Sequence, residues 1–331
     1  MYSVSILVPI YNAERYIERC VRSLFEQTYE NLEFVFVDDC SPDASISILN
    51  RIVEEYPARK SRIKLIRNES NRGASASKNI AIENATGEFV CFVDSDDWIE
   101  LNAVELLVSE QLKTGADVIW GRMLMHTDHG VIELGEPSYL NKDEWVKCYC
   151  RLTTGIVMTN SRRIIRRELL NRFGIRSADG FNYAEDKLFM SQVAYYANGF
   201  SAIDDYVYHY NRQNDLSATA KQGAEFNPSI FRQESGSIHL IERFFSDKEE
   251  SYYSEAGRAR MRYLKSNLEW ALQSSSRQGF QMVVDQIEGS CPEFWDEIGW
   301  KGWKRLLYGS FFYMKHFSGI KRKMKHFISL F

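Results

Sequence analysis

The sequence predicts an α/β fold: a mostly parallel sheet flanked by helices, followed by a helical C-terminal extension. Three observations lead there. Short apolar, β-rich runs alternate with segments of helical periodicity through the first hundred residues. The runs are continuously apolar, as strands buried on both faces are. Each ends in polar or aromatic residues, and parallel sheets bind ligands at the carboxyl ends of their strands.

Val4–Val8 is the first such run, and Pro9 is expected to end it. Ile17, Cys20, Val21, Leu24 and Phe25 then recur at helical spacing. Leu32–Val37 predicts a second buried strand that stops at Asp38-Asp39. Ile48, Leu49, Ile52, Val53 and Tyr56 mark a helix closed by Pro57. Ile63–Ile66 is a third strand, and Gly73 opens a third helix that ends by Gly87. Phe89–Val93 is a fourth strand, running into Asp94-Ser95-Asp96-Asp97. Further on, Asp117–Trp120, Val131–Leu134 and Ile203–Tyr210 read as strands, while Arg162–Phe173 and Glu185–Tyr196 read as helices. From about residue 222 the pattern is helical, so the chain divides into 1–220 and 221–331.

The chain has 331 residues, of which 44% are hydrophobic and 26% charged, as in a globular protein. No apolar run reaches the roughly 18 residues that span a bilayer. The N-terminus lacks the basic-then-apolar pattern of a secretory signal. With no such signal, Cys20, Cys40, Cys91, Cys148, Cys150 and Cys291 are expected as reduced thiols in the cytoplasm. Cys148-x-Cys150 has no second pair to complete a zinc site. No G-x-G-x-x-G follows the first strand and no G-x-x-x-x-G-K-[ST] occurs, which disfavours a Rossmann dinucleotide site and a P-loop.

The net charge of −4 conceals an asymmetry. Residues 301–331 hold eight Lys and Arg and no acid, so the first 300 residues carry −12. In the tail, Trp303, Leu307, Phe311, Met314, Phe317, Ile320, Met324, Phe327 and Phe331 recur every three or four residues. A basic helix with an aromatic face is suited to an anionic membrane surface. The alternative is that the stripe packs on the protein body or on a second subunit, which leaves an oligomer open.

Three carboxylates at the end of a buried strand, Asp94, Asp96 and Asp97, repel one another unless a cation joins them. Hard divalent ions accept carboxylate and phosphate oxygens together, which points to a metal-bound nucleotide diphosphate. The competing reading is a solvated helix cap. Asp38-Asp39 can accept a hydrogen bond from a base or ribose, or cap the helix near Pro42-Asp43, and Tyr11 can offer its ring to a base.

Val8-Pro9-Ile10-Tyr11-Asn12, Val37-Asp38-Asp39-Cys40-Ser41, Asn71-Arg72-Gly73, Lys78-Asn79 and Asp94-Ser95-Asp96-Asp97, in that order and spacing, resemble the family 2 glycosyltransferases of GT-A fold. The resemblance covers about 1–215 and departs at Cys40, where the family more often has Asn or Gly. It implies that 1–220 is a nucleotide-sugar-binding catalytic domain. Pro9, Tyr11 and Asp39 would hold the base, with Asp39 on the uracil edge of a UDP-sugar. Asn71, Lys78 and Asn79 would be donor-side contacts. Asp94 would reach the ribose or sugar. Asp96 would bind Mn²⁺ or Mg²⁺ as the second Asp of D-x-D, with Asp97 assisting it or capping the next helix.

Tyr183-Ala184-Glu185-Asp186 resembles the family's Glu-Asp motif facing the acceptor, though a Glu-Asp pair also suits a helix N-terminus. An inverting transferase needs a base for the acceptor hydroxyl, and the resemblance implies Asp186, with Glu185 second. Tyr206 to Ser217 resembles the end of the catalytic domain. There Arg212 can neutralise the diphosphate and His209 can approach the metal, against the plainer reading of a packed strand with a surface Arg. Trp98 can floor the sugar pocket or sit in the core.

The expected activity is therefore transfer of a sugar from a nucleotide-sugar to a glycan or lipid-linked acceptor, of the bacterial surface-polysaccharide type. The expected setting is cytoplasmic, peripheral on the inner face of the membrane, with no nucleic-acid partner. The alternatives are a nucleotide-binding module without activity and a sugar nucleotidyltransferase. The latter should carry a Gly-rich, basic loop after the first strand, where this chain has Tyr11-Asn12-Ala13-Glu14.

Overall fold

The computed structural model describes residues 2–135, 141–152, 159–181, 183–214, 226–274, 276–292 and 294. The contacts divide the chain into two compact units, Met1–Ala220 and Lys221–Phe331. The tail stripe, Trp303 to Phe331, and Ser217 lie outside the described residues.

The first unit begins with β1 (Val4–Ile10), α1 (Ile17–Phe25), β2 (Leu32–Asp38), α2 (Ser45–Glu55), β3 (Ile63–Arg67), α3 (Ala74–Asn84) and β4 (Phe89–Phe92). It continues with β5 (Trp98–Ile99), α4 (Ala103–Thr114), β6 (Val118–Thr127), β7 (Gly130–Leu134), α5 (Lys142–Arg151), β8 (Arg163–Arg166), α6 (Arg167–Arg172), α7 (Glu185–Tyr196) and β9 (Phe200–Asn211). Among the described residues the sheet runs β3-β2-β1-β4-β8-β6-β9-β5, with β7 paired to β6. β3, β2, β1 and β4 are mutually parallel. β8 is antiparallel to β4 and β6, and β9 runs parallel to β6. The parallel half winds outward from β1 in both directions, because β2 lies on one side and β4 on the other. A crevice opens at the carboxyl ends of two such strands, where ligands bind in open α/β sheets.

Burial explains the strand sequences. Val4, Ile6, Leu7, Val8 and Ile10 are all fully buried, as are Phe34, Val35, Phe36 and Val37. The faces of α1 and α2 that carry Ile17, Cys20, Val21, Leu24, Leu49 and Ile52 pack into the same core. Against expectation, β1 continues through Pro9 to Ile10. Leu7 accepts a hydrogen bond from Val93 on the β4 side, so Pro9, two residues on, faces the same side. β4 ends at Phe92, so no partner strand there requires the missing N–H.

The segment read as one helix over Arg162–Phe173 is a strand followed by a short helix. Ile164 and Ile165 are both fully buried because β8 is sandwiched between β4 and β6. Two adjacent apolar residues followed by Leu169 and Leu170 fit either period. β6 and β9 approach closely at a register shift beside Gly121. A Cβ there would lie 2.6 Å from Val207 Cγ2, so the position requires glycine.

The second unit contains α8 (Pro228–Phe245), α9 (Glu250–Gln273) and α10 (Arg277–Ser290). Asn227 caps α8 by accepting from the Ser229 and Ile230 N–H groups, with Pro228 in the first turn. Its core joins Phe226, Phe231, Leu264, Leu268, Phe280, Val283, Val284 and Ile287. No described helix is long and apolar enough to cross a membrane. No disulfide forms among the described residues.

Candidate functional site

The loop after β1 is held by the loop after β2. Asn12 N–H donates to Ser41 Oγ at 2.8 Å, Ala13 N–H to Ser45 Oγ at 2.9 Å, and Glu14 N–H to Asp43 Oδ2 at 2.8 Å. Asp43 Oδ1 in turn accepts from both serine hydroxyls. Burial works against the Asp43 charge, but these donors outweigh it and hold its carboxyl below the usual range. The capping task near Pro42 thus falls to Asp43, leaving Asp38 and Asp39 for other contacts. Tyr11, on the held loop, is 49% exposed.

Asp39 is buried and fully engaged. Oδ1 accepts from Asn68 Nδ2 and Arg72 N–H, and Oδ2 from Gly73 N–H, all at 2.8 Å. Asp39 therefore shapes the loop that leads into α3. Asp38 accepts from Ser41 N–H and lies 3.2 Å from Arg67 Nε. Cys40, which follows them, has φ +59°. That left-handed conformation is costly for a residue with an ordinary Cβ and mild for Asn or Gly, which accounts for the family preference noted above.

At the exit of β4 the three carboxylates occupy different environments. Asp94 is partly exposed, and its N–H donates to Tyr208 Oη. Asp96 accepts from Asn214 Nδ2 at 2.7 Å, and burial together with Asp94 pushes its carboxyl up to about 6. Asp97 accepts from Tyr208 Oη at 2.6 Å and Asn211 N–H at 2.7 Å. Burial, then Asp96 and Asp94, raise its pKa well above the carboxylate range. Asp97 neither caps a helix nor faces outward; it anchors β9 to the acidic loop. Among the described residues no three His, Cys, Asp or Glu side chains converge as a ready-made metal cage. The donor set nevertheless fits a hard divalent cation that shares its shell with phosphate. Asp96 and Asp94 offer carboxylate oxygens, and their mutual repulsion calls for positive charge.

The fourth group joins distant segments. Lys78 Nζ, on α3, lies 3.0 Å from Glu185 Oε1, 3.1 Å from Asp186 Oδ1 and 3.7 Å from Asp94 Oδ1. Asp186 Oδ2 accepts from Asn160 N–H at 3.3 Å. Ala184, just before α7, has φ +62°, a strained turn that delivers the Glu-Asp pair. Asn79 uses its amide on both the N–H and the carbonyl of Ser177, and Ser75 Oγ donates to Phe181 O. α3 is thus the platform on which the chain before α7 is laid.

His209 lies away from the lysine cluster. Its Nδ1 meets His126 Nε2 at 3.0 Å and its Nε2 meets Glu100 Oε1 at 2.8 Å. The ring stacks on Trp98 at 4.7 Å, and Arg19 lies over Trp98 at 3.3 Å. Both ring nitrogens are therefore occupied, and a metal role for His209 requires one of them to change partner. Trp98 belongs to this stack. The side chain of Arg212 makes no hydrogen bond or ion pair among the described residues, and Asn71 is exposed.

The structure thus separates the residues singled out from sequence. Pro9, Tyr11, Asn71, Asp94 and Arg212 border the strand exits with surface to spare. Asp39, Lys78, Asn79 and His209 are spent on internal contacts. Sequence reasoning missed Asn68, Tyr208, Asn214 and Asn160. Asn68 directly follows β3 and is legible by the strand-exit rule, and Tyr208 by alternation along β9. Asn160 and Asn214 carry no local signal.

The glycosyl transferase family 2 model matches residues 5–174. EpsH of Bacillus subtilis (strain 168), named a "putative glycosyltransferase", is 31% identical over 261 residues, covering 76% of this chain and 72% of that protein. TarS of Staphylococcus aureus (strain Mu50), a poly(ribitol-phosphate) beta-N-acetylglucosaminyltransferase, is 32% identical over 238 residues, covering 71% of this chain and 38% of TarS. The crystal structure of TarS 1–349 with UDP-GlcNAc superposes with a TM-score of 0.66 at 23% identity, covering 88% of this chain and 82% of that one. A Pyrobaculum calidifontis mannosyltransferase with GDP-Man and Mn²⁺ gives 0.53 at 18% identity, with coverages of 89% and 88%. These two superpositions speak for the fold.

Replacing Cys40 with Asn is expected to relieve the left-handed strain and raise stability by about 1 kcal/mol. Thermal unfolding checks this, and a lowered midpoint would show that the thiol's packing outweighs the strain.

Proposed function

The chain belongs to glycosyl transferase family 2, and from that premise we propose that it is an inverting, metal-assisted transferase that uses a UDP-sugar. It is a glycosyltransferase with a nucleotide-sugar donor. The finer reading rests on one observation: Lys78 brings Asp94, at the exit of β4, within one ammonium of Asp186, at the start of α7. A donor-side acid and an acceptor-side acid thereby flank one crevice.

In this reading the uracil lies by Tyr11 and Pro9, with Asp39 fixing the loop around it. Asn71 and Arg212 border the diphosphate, and Asp94 faces the ribose or sugar. Asp96, beside Asp94, would hold Mn²⁺ or Mg²⁺, which when bound neutralises the diphosphate. Asp186 takes the proton of an acceptor hydroxyl as that oxygen forms a bond to the anomeric carbon. The bond from that carbon to the β-phosphate oxygen breaks, UDP leaves with the electron pair, and configuration inverts. No covalent enzyme intermediate is needed. Glu185, which shares the Lys78 ammonium with Asp186, is the second candidate for the base. The transferred sugar is read as a hexose or N-acetylhexosamine, and the acceptor as a growing glycan or lipid-linked saccharide; TarS, named as an N-acetylglucosaminyltransferase, supports that class.

Asp186→Asn is expected to retain UDP binding and to lose about 10²–10⁴-fold in turnover. Unchanged turnover in that variant removes Asp186 from the base role. The wild-type pH profile gives a second check. Burial, opposed by Lys78 and aided by Glu185 and Asp94, pushes the Asp186 carboxyl up to about 7. A base must be ionised, so turnover falls as pH drops through that value. A rate that stays flat from pH 8 down to 5 contradicts the assignment.

Asp96→Ala is expected to abolish the Mn²⁺-dependent part of UDP binding, measured by calorimetry with and without chelator. UDP affinity that responds to Mn²⁺ as in wild type moves the metal elsewhere. The basic segment 301–331 is read as attachment to anionic lipid, each basic residue adding roughly 1 kcal/mol near the surface. The full chain should co-sediment with phosphatidylserine vesicles at low salt, and a chain ending near residue 298 should not. Equal behaviour of the two rules this out.

A further inference from the structure

We infer that Lys78 is a positioning residue for Asp186 rather than a contact to the donor: its ammonium fixes the Asp186 carboxylate and shares one counter-charge between Asp186, Glu185 and Asp94. This rests on the transferase reading above and assigns a different task to a residue that the family pattern places among the donor contacts.

The geometry carries the argument. Lys78 is only 2% exposed. Its ammonium donates hydrogen bonds to Glu185 at 3.0 Å and Asp186 at 3.1 Å, and Asp94 completes the cluster as an ion pair at 3.7 Å. The two hydrogen-bonded acids both come from α7, on the acceptor side, while the donor-side acid Asp94 is the most distant and the most exposed of the three. Asp186 is held at both oxygens, Oδ1 by Lys78 and Oδ2 by the Asn160 N–H. A carboxylate fixed at both oxygens presents its remaining lone pairs in one orientation, as proton transfer from a hydroxyl demands.

The charges agree with the geometry. The charged groups that act on Asp186 are Lys78 from α3, Asp94 from the β4 exit and Glu185 from its own helix. Lys78 alone among these favours the ionised form. Removing its charge leaves two acids and a buried site all pressing Asp186 towards protonation.

The test measures UDP release from UDP-N-acetylglucosamine and UDP-glucose against pH, together with UDP binding by thermal shift. In Lys78→Gln the acid limb should move up by about one pH unit or more, with partial recovery of turnover at high pH. UDP affinity should stay within about twofold of wild type. Lys78→Arg, which keeps the charge, should return the limb close to its original place. An unmoved limb with UDP affinity weakened about tenfold makes Lys78 a donor contact and overturns the inference. If Lys78→Gln does not fold, Lys78→Gln combined with Glu185→Gln leaves the net charge around Asp186 unchanged. That pair should keep the wild-type limb, while Glu185→Gln alone should lower it. A limb that does not fall in Glu185→Gln also overturns the inference. Wild-type protein that fails to bind UDP, or an active Asp186→Asn, refutes the transferase site itself and is read separately.

Discussion

A single ammonium buried among three carboxylates is the contact on which the rest of the site depends. Lys78 comes from a helix, Asp94 from a strand exit, and Glu185 and Asp186 from a helix start 107 and 108 residues beyond Lys78. A buried charge left without partners costs several kcal/mol, so these segments must arrive together for any of them to settle. The neighbouring contacts serve the same meeting. Asn79 grips Ser177, and Ser75 grips Phe181, so the chain leading to α7 is fastened to α3 before it turns at Ala184. The strained turn persists because the contacts on either side of it leave the backbone no alternative.

The acidic loop after β4 is organised by a different rule. Asp97, the most buried of its three carboxyls, joins Tyr208 and Asn211 of β9, and Asp96 meets Asn214 just beyond that strand. The loop and the end of β9 therefore form one unit, and Arg212 is carried on it. Three neighbouring acids in D-x-D-D are not equivalent. The inward one ties strands together, and the other two, Asp94 and Asp96, are those that the proposed function draws on.

Much of this was legible in the sequence. The parallel strands announced themselves as unbroken apolar runs, since both faces of each are covered, and each exit residue could be named from the strand boundary. The helix at Glu185 was visible from its acidic first turn. β8 was not, because Ile164 and Ile165 side by side suit a doubly buried strand as well as a helix, and only their partners decide: Cys91 and Ile119 for Ile164, Val90 and Val118 for Ile165. The deeper limit concerns roles. Sequence places Asp39, Lys78, Asn79 and His209 at the rim but does not say whether they face a ligand or one another. In the folded chain Asp39 grips a loop, Lys78 two acids of α7, Asn79 a backbone, and His209 its histidine and glutamate neighbours. Such pairings depend on which segments meet across the sheet, a property of topology that no local motif encodes.

The tie between the first two exit loops has a thermodynamic consequence. Asn12, Ala13 and Glu14 have already committed their amide hydrogens to Ser41, Ser45 and Asp43, so the backbone that presents Tyr11 is ordered before anything binds. The conformational entropy of that loop is lost during folding and is not charged again to association, where ordering a loop and its side chains costs roughly 0.5–1.5 kcal/mol for each group immobilised. Under the proposed function, a flat ring stacking on Tyr11 would then meet a surface of fixed shape, and discrimination among such rings would depend on how well each one fits.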